Sequence, residues 1–369
     1  MIDLAAEYQQ MQPSISNEIE KVLSSGNYIK GDGVTLFENK LAEYLSVKNV
    51  IGCGNGTDAL QIALMAIDLK PGDEVIIPAF AYVSVIEVVC LLGGIPVLVD
   101  IEDQYFQIDS SKIEKAITPI TKAIIPVHLF GQSGDLQKII AIAKKHQLFV
   151  IEDNAQALGG KLIIDGKENM LGTLGHIGCT SFFPTKNLGG FGDGGALFTN
   201  DDELAHRIRM ISNHGQQKKY EHEIMGINSR LDSLQAAILK FKLQYLDQNL
   251  SIKRSIAAKY IQELSSCKEI TIPSKNTDGI HSWHQFTIKV KKGKRNALKD
   301  FLKNQGIETM IYYPKSLHQQ KAYTNFRVFS PISDHICDSV LSLPIHSLLK
   351  LEEVSFISHT IKDFFNAKH

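Results

Sequence analysis

The sequence predicts an α/β protein in which a large domain with a mainly parallel sheet between helices precedes a smaller α+β domain. Between residues 49 and 153, short apolar runs alternate with segments of helical spacing, an order typical of parallel sheets covered on both faces. A long helical pattern over residues 231–264 follows, and beyond it strands and helices are mixed. We place the boundary inside that pattern, with a large domain of residues 1–245 and a small domain of residues 246–369.

Composition favours a globular protein that works on small molecules. The chain has 369 residues, of which 44% are hydrophobic, enough to bury a large core. Its 39 lysines and arginines against 40 acidic residues leave a net charge of -1, which gives no electrostatic reason to expect nucleic acid or an anionic membrane as partner.

The sequence also favours a cytoplasmic protein. The N-terminus lacks a basic stretch followed by an apolar core, and the apolar run over residues 88–101 is broken by Gly93 and Pro96. Five scattered cysteines without a C-x-x-C pair are typical of free thiols in a reducing compartment. We therefore expect no membrane partner.

Regular elements can be assigned in order from the hydrophobic spacing. Two amphipathic helices are expected first, one ending before Gly26 and one containing Phe37, Leu41 and Leu45. Apolar runs then predict strands at residues 75–78, 96–100, 123–127 and 149–153.

The C-terminal half is expected to open with a single long helix. Its start at Ser229-x-x-Asp232 resembles a capping box. Beyond it the spacing predicts strands at 285–290 and 308–313 and helices near 296–304, 334–341 and 352–365.

The ends of the predicted parallel strands mark candidate binding positions, because ligands bind at the carboxyl edge of such sheets. They are residues 52–57, residues 80–82, His128 and Asp153. Residues 52–57 also open a helix, where backbone N–H groups and the helix dipole can hold a phosphate. A dinucleotide would need an acid after the next strand, but Ala79 and Phe80 stand there, so a single phosphate is favoured over NAD.

Lys186 lies between a strand of small and aromatic residues and a glycine tract at 189–195. A lysine in an apolar pocket loses its proton readily and can form a Schiff base with a carbonyl. A surface lysine beside a flexible loop is the alternative.

Asp153 ends an apolar strand, where a carboxylate requires a cationic partner. A pyridinium nitrogen or a structural salt bridge would serve, and Tyr82 would either stack on such a ring or pack in the core. Together, a phosphate-binding helix start, a strand-end acid and a Schiff-base lysine predict a pyridoxal 5′-phosphate (PLP) site. His281 and His284 lack further ligands nearby in sequence, so no metal site is expected.

These motifs resemble the DegT/DnrJ/StrS type of PLP-dependent nucleotide-sugar aminotransferases over nearly the whole chain. The matching segments are GNGTDAL (54–60), PGDEVI (71–76), EDNAQ (152–156), residues 181–186, GDGG (192–195) and GINSRL (226–231). The resemblance implies the aminotransferase fold of type I and a homodimer with shared active sites.

The resemblance also implies roles for individual residues. Lys186 would carry PLP and move the proton, and Asp153 would face the ring nitrogen. The remaining cofactor contacts would come from Gly56, Thr57 and Ser181 at the phosphate, Tyr82 on the ring face, Gln156 on the ring's hydroxyl side and Asn228 of the partner subunit. Relatives that act as dehydratases carry histidine in place of Lys186, so a transaminase is expected.

The implied reaction moves an amino group from L-glutamate to a keto sugar nucleotide, in cell-surface polysaccharide or O-antigen synthesis. His214, Gly215, Gln216, Tyr220, His222 and residues 229–232 resemble the branch that aminates C3, with UDP-2-acetamido-2-deoxy-3-oxo-glucuronate-like or dTDP-3-keto-6-deoxyhexose substrates. Amination at C4, an NAD-dependent dehydrogenase and a non-catalytic regulator are the alternatives.

Three positions bear on the substrate. Arg230 would grip a uronate carboxylate or pair with an acid such as Asp232. Tyr312 and Tyr313 would contact the sugar, although many relatives carry His-Tyr-Pro where this chain has Tyr-Tyr-Pro. Asn154 replaces a usual alanine beside Asp153.

Overall fold

The computed structural model describes residues 3–326 and 328–366. Its α-helices are α1 (Leu4–Met11), α2 (Ser14–Ser25), α3 (Asp32–Leu45), α4 (Gly56–Ala66), α5 (Ser84–Leu91), α6 (Ser110–Ile113), α7 (Leu136–His146), α8 (Asp202–Ile211), α9 (Ser233–Leu243), α10 (Leu246–Leu264), α11 (Arg295–Asn304), α12 (Pro331–Ser339) and α13 (Leu351–Asn366). Within the described ranges, no helix combines the length and the apolar character needed to cross a membrane.

The strands follow the same order along the chain. They are β1 (Asn49–Cys53), β2 (Glu74–Pro78), β3 (Ile95–Val99), β4 (Thr121–Ile124), β5 (Phe149–Asp153), β6 (Lys161–Ile164), β7 (Lys167–Met170), β8 (Ile177–Ser181), β9 (Gly195–Thr199), β10 (Gln216–Lys218), β11 (Glu221–His222), β12 (Ile270–Thr271), β13 (Gly279–Ile280), β14 (Phe286–Val290) and β15 (Val340–Leu343).

A central sheet with the strand order β1-β9-β8-β5-β4-β2-β3 organises the N-terminal part of the chain. The strands from β8 to β3 are mutually parallel, and only β9 runs antiparallel to its neighbours β1 and β8. Helices cover both faces because alternate residues of each strand are buried on opposite sides: Ile151 joins a core with α4 and α5, and Val150 joins one with α7. The mainly parallel sheet predicted from the sequence is confirmed.

A second, antiparallel sheet of order β12-β14-β15 lies in the C-terminal part of the chain. Its core contains residues of α10, α11 and α13 together with Trp283 and Phe286. Leu246 and Leu250, at the start of α10, instead pack with α3 and α9. A division after residue 245 stays a prediction, and the change of core partner within α10 supports a boundary near it.

Two predictions at the helical segments are wrong. Three helices precede β1, and the pattern over 231–264 is two helices that meet at Gln244 and Tyr245. Both helices bury apolar faces, so the spacing runs on through the junction and no glycine or proline marks it. The side chain of Asp232, which precedes α9, makes no capping hydrogen bond.

The small domain also departs from two predictions. Residues 308–313 form no strand and pair with the sheet only through the isolated bridge between Met310 and Ser342. Tyr312 and Tyr313 of this segment line a cavity instead of pairing in the sheet. β15 occupies the end of the helix predicted at 334–341, since a short, fully buried apolar run does not distinguish strand from helix.

Candidate active site

A cavity of about 600 Å³ lies where β2 and β5 of the central sheet end. Most of the residues predicted for the site line it: Gly56, Thr57, Tyr82, Asp153, Gln156, Ser181, Lys186, Tyr312 and Tyr313. The cavity therefore lies at the carboxyl edge of the parallel strands, where the sequence predicted a binding site. Asn228 and Arg230 are not among the residues that line this cavity.

The start of α4 forms one end of the cavity. Asn55 caps the helix, its side-chain oxygen accepting the N–H of Asp58 at 2.8 Å. A Cβ on Gly56 would lie 2.7 Å from Cβ of Ser181, so glycine allows the end of β8 to approach the helix. Free N–H groups of the first turn and the hydroxyls of Thr57 and Ser181 thus surround a position suited to a phosphate.

Lys186 lies in the turn that follows β8, where its backbone N–H donates to the carbonyl of Phe183 at 2.8 Å. Burial lowers the pKa of its side chain from 10.5 to about 8, against the opposing charge of Asp153. A larger fraction of the amine is therefore neutral at physiological pH than for an exposed lysine, as a nucleophile toward a carbonyl requires.

Asp153 is buried at the end of β5. Its carboxylate accepts one hydrogen bond, from the N–H of Ala155 at 3.1 Å, and has no ion pair within the described ranges. Burial raises the pKa of Asp153, although this N–H and the charges of Lys186 and His128 oppose the rise. A buried acid with spare acceptor capacity suits a cationic N–H donor such as a pyridinium ring.

The two neighbours of Asp153 are fully buried on the sheet. Glu152 pairs with Nε2 of His128 at 2.7 Å and also accepts N–H groups from the turn at 172–175. Burial raises the pKa of Glu152, but these contacts outweigh it and the net pKa is lowered. His128 does not line the cavity. Neither amide atom of Asn154 has a hydrogen-bond partner in the part of the chain described, and the structure gives no reason for this replacement.

Gln156 and Tyr313 form a fixed pair at the cavity wall. Oε1 of Gln156 accepts the N–H of Phe130 at 2.8 Å, and its Nε2 donates to the hydroxyl of Tyr313 at 3.0 Å. Burial raises the pKa of Tyr313, so its hydroxyl stays neutral. The ring of Tyr82, 53% exposed, lies 6.0 Å from that of Tyr313 and is free to receive a stacked ligand. Next to this pair, burial raises the pKa of Tyr312, and the nearby side chain of Gln285 opposes the rise.

Residues 227–230, which we call the arm, lie outside the cavity. Asn228 is exposed, and Arg230 is half-buried. Arg230 makes no ion pair within the described ranges, so the predicted alternative of a salt bridge with Asp232 is not seen. Its charge adds to the effect of burial in lowering the pKa of Lys30. The arm therefore carries a positive charge without a counter-ion among the described residues of its own chain.

Nine further residues line the cavity and were not predicted as site residues: Asp58, Leu60, Ser84, Ala155, Phe183, Thr185, Asp193, His284 and Gln285. Seven of them stand in or next to the motifs around 54–60, 80–82, 152–156 and 181–195, which was the available signal. His284 and Gln285 come from the C-terminal part of the chain, and no local pattern marks them. The residues described contain no cluster of three His, Cys, Asp or Glu side chains that could hold a metal ion, and His281 stacks on Trp283 with ring centroids 3.8 Å apart.

Comparison with known proteins identifies the family of the protein that contains this cavity. The profile of the DegT/DnrJ/EryC1/StrS aminotransferase family matches residues 9–362. The chain belongs to this family. The resemblance inferred from its motifs is confirmed, and the protein is an aminotransferase.

Two relatives match this family member over almost its whole length. A protein from Geobacillus stearothermophilus named pleiotropic regulatory protein is 44% identical, with 99% of this chain and 98% of the relative covered. UDP-2-acetamido-2-deoxy-3-oxo-D-glucuronate aminotransferase from Pseudomonas aeruginosa is 43% identical, with 96% of this chain and 97% of the relative covered.

A solved structure bears on the cofactor. The crystal structure of ntda from Bacillus subtilis with bound cofactor PMP, the aminated form of PLP, is 37% identical and has a TM-score of 0.86. The match covers 94% of this chain and 81% of the ntda chain. This aminotransferase uses PLP, as predicted, and its cavity fits the cofactor: a helix start for the phosphate, a buried acid for the ring nitrogen and a lysine of lowered pKa for the carbonyl.

Proposed function

We propose that this aminotransferase moves an amino group from L-glutamate to C3 of a keto sugar nucleotide. The observation that carries the proposal is the convergence of Lys186, Asp153 and the start of α4 in one cavity. The name of the Pseudomonas aeruginosa relative, which specifies a 3-oxo sugar linked to UDP, supports the position. A regulator without catalytic activity would have no use for a lysine, a buried acid and a phosphate-binding helix start that converge in one cavity.

The residues that would bind and use the cofactor come mostly from one chain. PLP, when bound, supplies an electron sink for the transferred amino group. Lys186 would hold the cofactor at its carbonyl carbon and, once released by the amino donor, would move the proton at the substrate carbon. Asp153 would keep the ring nitrogen protonated through its charge. Gly56, Thr57 and Ser181 would hold the phosphate at the start of α4.

The aromatic wall orients the reactants. Tyr82 stacks on the cofactor ring, for which its exposed face is available. Gln156, whose amide is already held by Phe130 and Tyr313, stands on the hydroxyl side of the ring. Tyr312 and Tyr313 contact the sugar, and the Tyr312 hydroxyl, which replaces the common histidine, shares the cavity wall with Gln285.

A homodimer would complete the site. Asn228 and Arg230 lie outside the cavity of their own chain and are available to a second copy. Tyr220 and Met225, on the same stretch of chain, are 80% and 88% exposed, and large exposed apolar side chains are typical of an interface. In the dimer Asn228 would reach the partner's cofactor phosphate, and Arg230 would read a carboxylate on the partner's substrate.

The substrate is then a UDP-2-acetamido-2-deoxy-3-oxo-glucuronate-like molecule or a dTDP-3-keto-6-deoxyhexose. The corresponding 3-amino sugar nucleotides are building blocks of cell-surface polysaccharide or O-antigen, made in the cytoplasm. Arg230, which has no ion pair among the described residues, favours the uronate, because a guanidinium binds a carboxylate through two hydrogen bonds.

A panel of matched sugar nucleotides tests the proposal. Four acceptors, with the keto group at C3 or C4 and with or without a C6 carboxylate, are offered with glutamate as donor, and amino sugar and 2-oxoglutarate are quantified. We expect the highest kcat/KM with the 3-keto uronate. A preference for either 4-keto sugar would overturn the C3 assignment, and failure of all acceptors with bound PLP would overturn the sugar nucleotide. Glutamate replaced by alanine or aspartate in parallel reactions tests the donor.

A further inference from the structure

Ser229 makes the contact through which the arm touches the phosphate-binding end of its own cavity. It is 1% exposed. Its hydroxyl oxygen accepts the N–H of Gly54 at 2.8 Å, and its hydroxyl donates to Oδ2 of Asp58 at 2.6 Å. Gly54 and Asp58 flank Gly56 and Thr57, so a single side chain clamps both ends of the turn proposed to hold the cofactor phosphate.

The backbone around Ser229 directs its two neighbours away from this turn. Asn228 pairs with Asn213 in an antiparallel bridge, and the N–H of Ser229 donates to the carbonyl of Ser212 at 3.1 Å. In extended backbone successive side chains face opposite ways. The observed exposure follows that rule, with Ser229 buried between the exposed Asn228 and the half-buried Arg230.

Asp58 gives the contact an electrostatic consequence. Its carboxylate is in the first turn of α4 and lines the cavity. A negative charge there is favourable to the helix but repels a phosphate at the same helix start. The hydroxyl of Ser229 binds this carboxylate and holds it beside Gly54, where a Cβ would lie 3.0 Å from the same Oδ2. Without that hydroxyl the carboxylate is free to turn toward the phosphate position.

We propose that Ser229 is a positioning residue that ties the phosphate-binding turn of one protomer to the Asn228 and Arg230 side chains that the same protomer lends to its partner. Each Ser229 then supports both active sites of the dimer, its own through Gly54 and Asp58 and the partner's through the arm. The inference rests on the proposed function in requiring that the arm acts across the dimer.

Heterodimers with a single intact lysine test the contribution to the partner's site. One chain carries Lys186→Ala, alone or with a second substitution, and the other chain is wild type; two affinity tags isolate the mixed dimer. Only the wild-type chain can then be linked to PLP by borohydride reduction. The readout is the PLP concentration that gives half of the maximal covalent labelling, which requires no turnover.

We expect Ser229→Ala on the Lys186→Ala chain to raise that concentration about three- to tenfold, the scale of one hydrogen bond. Ser212→Ala on the same chain is the matched control and should change nothing, because within the described ranges the Ser212 hydroxyl bonds only the carbonyl of Arg209 in the preceding helix α8. Asn228→Ala on that chain should also raise the concentration. An effect of Asn228→Ala without one of Ser229→Ala would overturn the inference alone, whereas no effect of either would overturn the shared site itself.

Inorganic phosphate tests the contribution of Ser229 to its own site. In the cofactor-free homodimer, phosphate that binds the turn at 54–58 raises Tm by mass action. We expect a smaller rise for Ser229→Ala than for wild type or Ser212→Ala at the same phosphate concentration. Asp58→Asn combined with Ser229→Ala should recover part of the rise, because the released group is then uncharged. Equal shifts in all four proteins would overturn the role of Ser229 at the turn.

Discussion

The floor of the cavity and the arm are organised in opposite ways. Lys186 and Asp153 are buried among groups of their own chain. Their burial lowers the pKa of Lys186 and raises the pKa of Asp153. Asn228 and Arg230 extend from a segment that its own chain holds through the side chain of Ser229 and through a backbone bridge to Asn213. This difference is what we expect if one chain supplies most of the cofactor contacts and, as we propose, Asn228 and Arg230 act in the site of a second copy.

Removing the lysine is the most severe test of the cavity floor. We expect Lys186→Ala to abolish transamination, because only a primary amine at this position can bind the cofactor carbonyl and move the proton. Loss of the proton transfer alone is worth about 10²- to 10⁴-fold. Steady-state assays with PLP measure the loss, and circular dichroism checks the fold. Lys167→Ala, in the exposed hairpin of β6 and β7, is the control and should be fully active. Appreciable turnover by Lys186→Ala would sink the assignment.

Removing the buried acid should have the next largest effect. Asp153→Ala leaves the ring nitrogen without its charged partner, a loss of about 1.5–3 kcal/mol, or roughly ten- to hundredfold in kcat. The variant should still bind PLP, more weakly. Asp193→Ala, which changes another acid of the same cavity, is the comparison for loss of charge alone. Near-normal kcat in Asp153→Ala would show that its carboxylate is structural.

The same contrast explains what the sequence could predict. The cavity floor was predictable because each residue stands at the end of a strand or the start of a helix, where local pattern and the topology of parallel sheets determine position. His284 and Gln285 were not, because they reach the cavity through the packing of the small domain against the large one, which leaves no periodic signal. The sequence predicts a capping role for Ser229, because Ser-x-x-Asp before an apolar run is typical of a helix start. The pattern does not distinguish a hydroxyl that caps the following helix, α9, from one that binds the start of α4, as the Ser229 hydroxyl does.

Arg230 tests the other side of the comparison. If its guanidinium binds a uronate carboxylate through two hydrogen bonds, Arg230→Lys should lower kcat/KM on the 3-keto uronate. The expected loss of transition-state stabilisation is about 1–3 kcal/mol. It should barely affect a 3-keto 6-deoxy sugar, which has no carboxylate. Lys30→Ala, at the neighbouring cation, separates a general loss of positive charge from loss of the two-point contact. Equal losses on both sugars would remove the carboxylate role.

The pKa of Lys186 predicts how cofactor attachment depends on pH. Burial lowers this pKa to about 8, so the charged form predominates below that pH and the reactive neutral amine above it. The rate at which the cofactor-free enzyme binds PLP covalently should therefore rise about tenfold per pH unit up to roughly pH 8 and then level off. Stopped-flow absorbance measures the rate. A rise that continues to pH 10 would show that the lysine is not desolvated.

Complementation is the most direct test of whether the cavity and the arm belong to different chains. Lys186→Ala subunits lack a working floor, and subunits with Asn228→Ala and Arg230→Ala lack a working arm, so each homodimer should be inactive. In a mixed dimer one site would combine the intact floor of one chain with the intact arm of the other. Random mixing in equal amounts makes half of the dimers mixed, each with one working site, so about a quarter of the wild-type activity should return. No recovery after subunit exchange has been verified by native mass spectrometry would mean that each chain builds its site alone.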